Sequence, residues 1–366
     1  MTPAGAAARL DSVDVLRGVT IAGMIVVNDP GTWSAVYPPL LHAEWNGWTY
    51  TDTIFPFFLF LVGVSMALSF GRRRAEGESE AFLMRRVGTR ALALVLLGLG
   101  LNVASALAFH KDSVRFPGVL QRIGLCVLVA GAIRLAGGVR GAALGAFVLL
   151  AGYAMVLGKG PLDPENNTAA RLDRLVFGAH TWKPGWDPEG LLSTLPSVAT
   201  TLAGMLAGER LLAGGASRRN LLVLAIGGLA AAAAGLAWSA WLPINKSLWT
   251  PSYALVMSGI AAVSLAACAA VVDVFGWKRW AIPFRWLGRN AIAAFVLSVL
   301  GAIALIAWKV PGSDGKPRSV WSAIHRGVFD RFADPRAGSL AFALAYLAFW
   351  TLVMGVLYRR RIFLRI

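Results

Sequence analysis

The sequence predicts an all-α fold, a polytopic transmembrane helical bundle, and three observations carry that prediction. The chain is 57 % hydrophobic and 15 % charged over 366 residues, too little charge to coat a soluble domain of this length. Its apolar residues fall into ten runs, mostly of the length that a helix needs to cross a hydrocarbon core of about 30 Å. Lysine and arginine crowd alternate connections between those runs, the asymmetry that sets membrane topology. In lipid every backbone polar group must find its partner within its own segment, so the runs are read as helices.

In chain order the runs are roughly 15–29, 52–70, 91–109, 117–136, 141–158, 191–208, 220–242, 251–274, 286–309 and 338–358. The first is short. The sixth is polar, with Ser193, Thr194, Ser197, Thr200 and Thr201 around Pro196; such residues face other helices or a cavity, so both are kept as spans. Placing both termini in the cytoplasm puts 21 of the 35 basic and 7 of the 19 acidic residues inside, a net of about +14, against +2 outside. The inside set runs from Arg9 and Arg17 through Arg72, Arg73 and Arg74 to Arg359, Arg360, Arg361 and Arg365. The total of +16 is therefore read as topology, and no nucleic-acid partner is expected.

The start MTPAGAAARLDSVDVLRG is too polar for a cleavable signal peptide, and no small-residue cleavage site follows the first apolar run. Cys126 and Cys268 fall inside different spans and are read as packing residues. Four histidines without a cluster at ligand spacing give no metal site. No linker and no internal period divides the chain, so residues 1–366 are read as one domain. Three outside segments remain, 30–51, 159–190 and 310–337; the second, rich in Pro, Gly, Asp, Asn and Trp, is read as an ordered loop with turns.

The residues that carry chemistry concentrate between Ser12 and Phe70. Asp14 and Arg17 lie three apart on one helix face, where mutual pairing is the structural reading. Asn28 ends the first span before Asp29-Pro30-Gly31, a position that also suits a helix cap or turn. His42 stands between Pro38-Pro39 and the Trp45-Asn46-Gly47 turn, where neither core packing nor a solvated surface accounts for it. Glu44, Asn46, Thr49 and Asp52 could fix its tautomer. Asp52, at the start of the second span, needs a partner at that depth, and His42 or a main-chain amide is available. Gln121 and Arg122 sit inside the fourth span, where an arginine faces a cavity, a carboxylate or a bound anion. Lys246, Trp249, Thr250 and Ser252 form a turn that an interfacial Trp belt explains, and Asn290 is either a helix–helix hydrogen bond or a donor contact.

Taken in order, SVDVLRG, VVND, HAEWNGWTYTDTIFP, FPGVLQRIGLCVL, DPEGLLSTLPSVATTLAGMLAGE, NKSLWTPSYALVMSG and PFRWLGRNAI resemble the heparan-α-glucosaminide N-acetyltransferase family over nearly the whole chain. The resemblance implies acetyl-CoA as donor, an amino sugar or related glycan outside as acceptor, His42 as the catalytic histidine and Asn28 as an active-site asparagine. His42 is then nucleophile or general base, with Asp52 beside it and Asn28 as oxyanion donor; Gln121, Arg122 and Asn290 are the candidate donor-binding residues. The expected setting is lipid of a bacterial inner membrane, with a homodimer left open. A transporter or flippase would use the same helices and pocket without chemistry, but shows neither an inverted repeat nor matched broken helices here. O-acetylation of an envelope component differs only in acceptor.

A cysteine introduced within 159–190 is expected to label from outside the cell, and one at residue 361 only after permeabilisation. The reverse pattern would invert the map.

Overall fold

The computed structural model describes residues 10–183, 185–312 and 316–364; the orientation expectations for Arg9 and Arg365 lie outside them. The chain opens with α1 (Asp11–Asn28), α2 (Tyr50–Ala75) and α3 (Glu80–Ala108). A 39-residue helix, α4 (Val119–Leu157), is followed by the short α5 (Thr168–Phe177) and by α6 (Thr194–Gly214), α7 (Arg218–Trp238) and α8 (Pro251–Ala269). Next come α9 (Ile282–Arg289), α10 (Ala291–Ala307), α11 (Val320–Ile324) and α12 (Pro335–Arg359). Between α10 and α11, β1 (Lys309–Pro311) and β2 (Pro317–Ser319) pair antiparallel, Val310 opposite Arg318.

Local chemistry sets the ends of these helices. Ser79 accepts from the Phe82 amide to start α3, and Thr250 with Pro251 starts α8. Gly138 breaks α4 at φ 63°, ψ −157°, a left-handed conformation that glycine adopts without cost. The two halves turn back on each other there. Arg122 on the first half lies 5.3 Å over the Trp249 ring, while Tyr153 on the second bonds the neighbouring Leu248 carbonyl at 2.6 Å. The expected fourth and fifth spans are thus the arms of one hairpin.

Six helices, α2, α3, α4, α7, α8 continued to Val274, and α12, are long and apolar enough to cross a membrane. The α9–α10 pair, bent by 84°, makes a seventh if it is one span. The count of ten expected from sequence is not met by this measure among the described residues. The reasons are physical: α1 carries Asp11, Asp14 and Arg17 in 18 residues, α6 combines its Ser/Thr/Pro run with Glu209-Arg210, and α4 counts once. Apolar side chains face outward as lipid-facing ones do: Leu96, Phe147, Leu229 and Leu352 are between 59 and 68 % exposed.

Since lipid supplies no hydrophobic drive between helices, close packing and polar contacts hold them. The α2–α6 pair meets through glycine: a Cβ on Gly204 would strike the Phe60 carbonyl, and one on Gly63 the Thr201 carbonyl. Arg134 donates to Glu209 at 2.9 Å, tying the hairpin to α6. Segment 159–190, expected as loop and turns, contains α5. The β1–β2 hairpin and α11 within 310–337 had no counterpart in the sequence reading, because three-residue strands leave no periodicity to read. Cys126 and Cys268 are free thiols.

Gly204→Ala should cost about 1–3 kcal/mol, as overpacking does, while Gly227→Ala, whose Cβ meets nothing within 4 Å, should be neutral or mildly stabilising. Thermal unfolding of both variants in one detergent checks the pair; equal midpoints would mean that α2 and α6 are not in tight contact.

Candidate active site

His42 is placed by the buried carboxylate that starts α2. Asp52, 1 % exposed, accepts from His42 Nδ1 at 2.7 Å through one oxygen. Its other oxygen accepts from the Ala43 amide at 3.0 Å and the Thr49 amide at 3.0 Å. One side chain thereby caps the helix and folds the chain from 42 to 49 over it. With Nδ1 committed as donor to Asp52, the free lone pair of the neutral ring lies on Nε2.

Lys246 comes from the far side of the sequence. Its Nζ lies 3.0 Å from His42 Nδ1, 3.3 Å from Nε2 and 3.5 Å from Asp52 Oδ1. Nδ1 cannot donate to Asp52 and accept from Lys246 together, so the ammonium pairs with Asp52 and Nε2. The turn that carries it is fully bonded: Asn245 Oδ1 accepts from the Leu248 amide at 2.8 Å, and Thr250 Oγ1 from the Asn245 amide at 3.1 Å. Gly47 N–H to Ile244 O at 2.7 Å stitches it to the His42 loop. Burial pulls the Lys246 ammonium below its ordinary pKa, against the opposing pull of Asp52 and Glu189.

Glu189 approaches from the segment before α6. Burial alone would raise its pKa, but Arg115, Arg122 and Lys246 hold it below the usual glutamate value. Arg115 bonds Glu189 directly and grips Asp187, with Nε at 2.7 Å from Oδ2. Arg122, 1 % exposed, donates to the Gly190 carbonyl at 2.9 Å and to Ser193 Oγ.

Asn28, His42, Glu189 and Lys246 line one cavity of about 140 Å³, whose remaining wall is mostly apolar, including Ile54, Phe55 and Phe295. A second cavity of about 240 Å³ holds Arg17, Arg90 and Arg289. The two share Phe58, Leu120, Ile123 and Ile292 as lining, so an apolar throat separates the histidine from the arginines. Asp14 tethers Arg17 at 3.2 Å and Arg289 at 3.4 Å, whereas Arg90 Nε has no hydrogen-bond partner.

Of the residues singled out by sequence, Asn28 and His42 face the same cavity and Asp52 stands directly behind His42. Gln121, Arg122 and Asn290 line neither cavity. Gln121 donates to the Phe116 carbonyl at 3.1 Å, and Arg122 builds the wall. Asn290 bonds the Ile362 carbonyl at 3.2 Å and the Leu364 amide at 3.1 Å, holding the C-terminal segment. Sequence reading passed over Lys246 as part of a Trp belt and over Glu189 altogether; the closely spaced Asn, Thr and Pro around Lys246 were the available sign of a built turn. Arg17, Arg90 and Arg289 were read only as topology charges or local pairs.

Removing the central carboxylate should unfold this end first. Asp52→Ala leaves a buried lysine and two amides unpaired and should cost about 3–5 kcal/mol, while Asp52→Asn retains an acceptor oxygen and costs less. The midpoints of thermal unfolding measure both; an Asp52→Ala midpoint equal to wild type would mean that other contacts hold segment 42–49.

Comparison with known proteins identifies the family. The family described as heparan-alpha-glucosaminide N-acetyltransferase, catalytic, matches residues 9–239. The human heparan-alpha-glucosaminide N-acetyltransferase is 28 % identical across 98 % of this chain and 60 % of its own length. The mouse protein is 27 % identical across 100 % of this chain and 62 % of its own. The chain therefore spans about three fifths of the length of the curated relatives it matches. A match over most of the chain, including the helices and loops that carry His42, Asp52 and Asn28, places this protein in the heparan-alpha-glucosaminide N-acetyltransferase catalytic family.

Proposed function

We propose that this protein is a membrane-embedded acetyltransferase that moves the acetyl group of acetyl-CoA to an amino sugar or related glycan at the His42 end of the bundle. The observation that carries the reading is the pair of neighbouring cavities, one faced by His42 and Lys246 in front of Asp52 and the other by three arginines, with Phe58, Leu120, Ile123 and Ile292 lining both. The two cavities suit the two ends of the donor. A phosphate-bearing head needs cations and water; a thioester needs a dry site beside a nucleophile or base. The cavity at His42, about 140 Å³ and walled mostly by apolar side chains, suits an acyl thioester better than a charged head. Arg17, Arg90 and Arg289 are the partners for the phosphates.

The topology belongs to the same reading. Counting α1, α6, both arms of α4 and the bent α9–α10 pair, the chain crosses ten times as one unit, with its termini and Arg17, Arg90 and Arg289 on the cytoplasmic side and His42 outside. The membrane is a bacterial inner membrane, and acetyl-CoA is available only on its inner side. A homodimer is compatible with this arrangement.

Two roles fit His42. As nucleophile, Nε2 forms a bond to the acetyl carbon, the C–S bond breaks, and the thiolate leaves; the acceptor amine then displaces the ring and loses its proton. As general base, Nε2 takes the amine proton while the N–C bond forms and the C–S bond breaks in one complex. In both, Asp52 holds Nδ1–H and stabilises the charged ring. Asn28 and Lys246 are the donors within the cavity for the carbonyl oxygen as it gains charge, each worth about 2.7–4 kcal/mol in comparable sites. O-acetyl transfer would use the same groups with a hydroxyl acceptor.

His42→Ala should abolish or greatly slow acetyl transfer, by about 10²–10⁴-fold for loss of a general base. Purified protein with acetyl-CoA and a panel of amino sugars measures it. Incubation with labelled acetyl-CoA alone separates the roles: label retained on wild type and absent from His42→Ala marks an acetyl-histidine, and turnover without retained label marks the base. Wild-type turnover in His42→Ala defeats both roles of His42; no acetyl transfer by wild type, together with exchange of a labelled solute in proteoliposomes, favours a transporter.

A further inference from the structure

Asn290 stands at the break between α9 and α10, where the two helices bend by 84°, and it is 0 % exposed. An asparagine that opens a helix ordinarily caps it, its side chain accepting from an amide of the first turn. Asn290 makes no such bond to α10. Both ends of its amide go instead to the segment that follows α12. Nδ2 donates to the Ile362 carbonyl at 3.2 Å, and Oδ1 accepts from the Leu364 amide at 3.1 Å. The segment reaches Asn290 through a second local sacrifice. Arg361 takes φ 57°, a left-handed conformation that disfavours a residue with a Cβ. The turn is closed by the Arg361 amide on the Tyr358 carbonyl at 3.0 Å and the Ile362 amide on the Leu357 carbonyl at 2.9 Å. A forgone cap and a left-handed arginine serve one contact, and strain kept at such a place points to function.

What the latched segment touches indicates that function. Leu364, 54 % exposed, lines the cavity of Arg17, Arg90 and Arg289 at its rim. Phe363, between the two residues that Asn290 grips, has its ring 6.0 Å from the guanidinium carbon of Arg289. The Tyr358 ring lies 5.4 Å from the same carbon, and Asp14 lies 3.4 Å from Arg289 Nε. Two rings and a carboxylate therefore hold this guanidinium, and one of the rings depends on the latch. A ligand phosphate gains most from a long side chain that is already fixed, because less freedom is lost on binding. Asn290 lines neither cavity, so any effect it has on a ligand passes through this segment.

We propose that Asn290 is a positioning residue for the donor: by latching residues 362–364 it closes the rim of the arginine cavity and keeps Arg289 aimed at the donor's phosphates. The identity of the ligand rests on the acetyltransferase reading. The latch takes no part in the transfer step, which belongs to His42.

The full chain in detergent tests this with two donors. Acetyl-CoA carries the phosphates, and S-acetylpantetheine presents the same thioester without them. Asn290→Ala should raise the acetyl-CoA KM about tenfold, the lower end for a hydrogen bond to a charged group. Its kcat, its acceptor KM and its kinetics with S-acetylpantetheine should match wild type. Equilibrium dialysis with labelled coenzyme A reads the same loss without turnover. A second pair of variants addresses the turn instead of the amide. Arg361→Val is β-branched and resists the left-handed conformation, so it should raise the acetyl-CoA KM as Asn290→Ala does. Arg361→Gly loses the same charge but adopts that conformation freely, so its KM should lie near wild type. Should Asn290→Ala fail to fold, the Arg361 pair decides alone. An acetyl-CoA KM unchanged in Asn290→Ala, both donors impaired alike, or equal KM values in the Arg361 pair would each overturn the positioning role and leave the acetyltransferase reading standing. Asn290-dependent binding of coenzyme A without transfer by wild type overturns the acetyltransferase reading and retains the latch. No binding of coenzyme A by wild type overturns both.

Discussion

A carboxylate at the first turn of a membrane helix, 1 % exposed, must collect donors or give up its charge. Asp52 collects a ring N–H, two amides and an ammonium from three stretches of chain. The arrangement costs nothing extra in helix formation, because an acidic residue in the first turn also answers the free amides and the positive end of the helix. The consequence is functional geometry. The ring of His42 cannot rotate freely, its Nδ1 is committed, and Nε2 is left to face the cavity with Lys246 at its edge.

That cluster stands on a second buried charge. Arg122 sits in the first arm of the α4 hairpin with its guanidinium against the Trp249 ring and its N–H groups on Gly190 and Ser193. Through Trp249 it braces the turn that carries Lys246; through Gly190 it braces the segment that carries Glu189. A lysine would not substitute well, since only a planar guanidinium can stack on the indole while one of its nitrogens, Nη2, reaches both Gly190 and Ser193. The same residue explains why a costly arginine is tolerated within the bundle: its interactions are with protein, none with lipid.

Between the polar ends the bundle is apolar and closely packed. Glycines on α2 and α6 bring those helices into backbone contact, and Phe58, Leu120, Ile123 and Ile292 border both cavities. A low-dielectric throat strengthens every fixed dipole and charge that looks into it. It also keeps the arginines of the second cavity apart from the Asp52–His42–Lys246 cluster.

The amino-acid sequence by itself determined the helical membrane class, nearly every long helix, and the two candidate partners of Asp52, His42 and a main-chain amide, both of which it meets. Those features are local: apolar run length, Pro-Gly punctuation and a ten-residue separation survive in one dimension. It did not determine the span count, since α1 and α6 carry charges and hydroxyls that hydropathy cannot tell from a surface helix, whereas the two runs on either side of Gly138 did emerge as the arms of the α4 hairpin. Nor did it reveal Lys246 and Glu189, which reach the cavity from 204 and 147 positions beyond His42 in the chain, or remove Gln121, Arg122 and Asn290 from the cavity walls. Which face of a helix looks inward, and which distant loop folds over it, depends on how the helices pack; neighbouring residues on one helix point in different directions, so only the tertiary structure decided which polar residues meet.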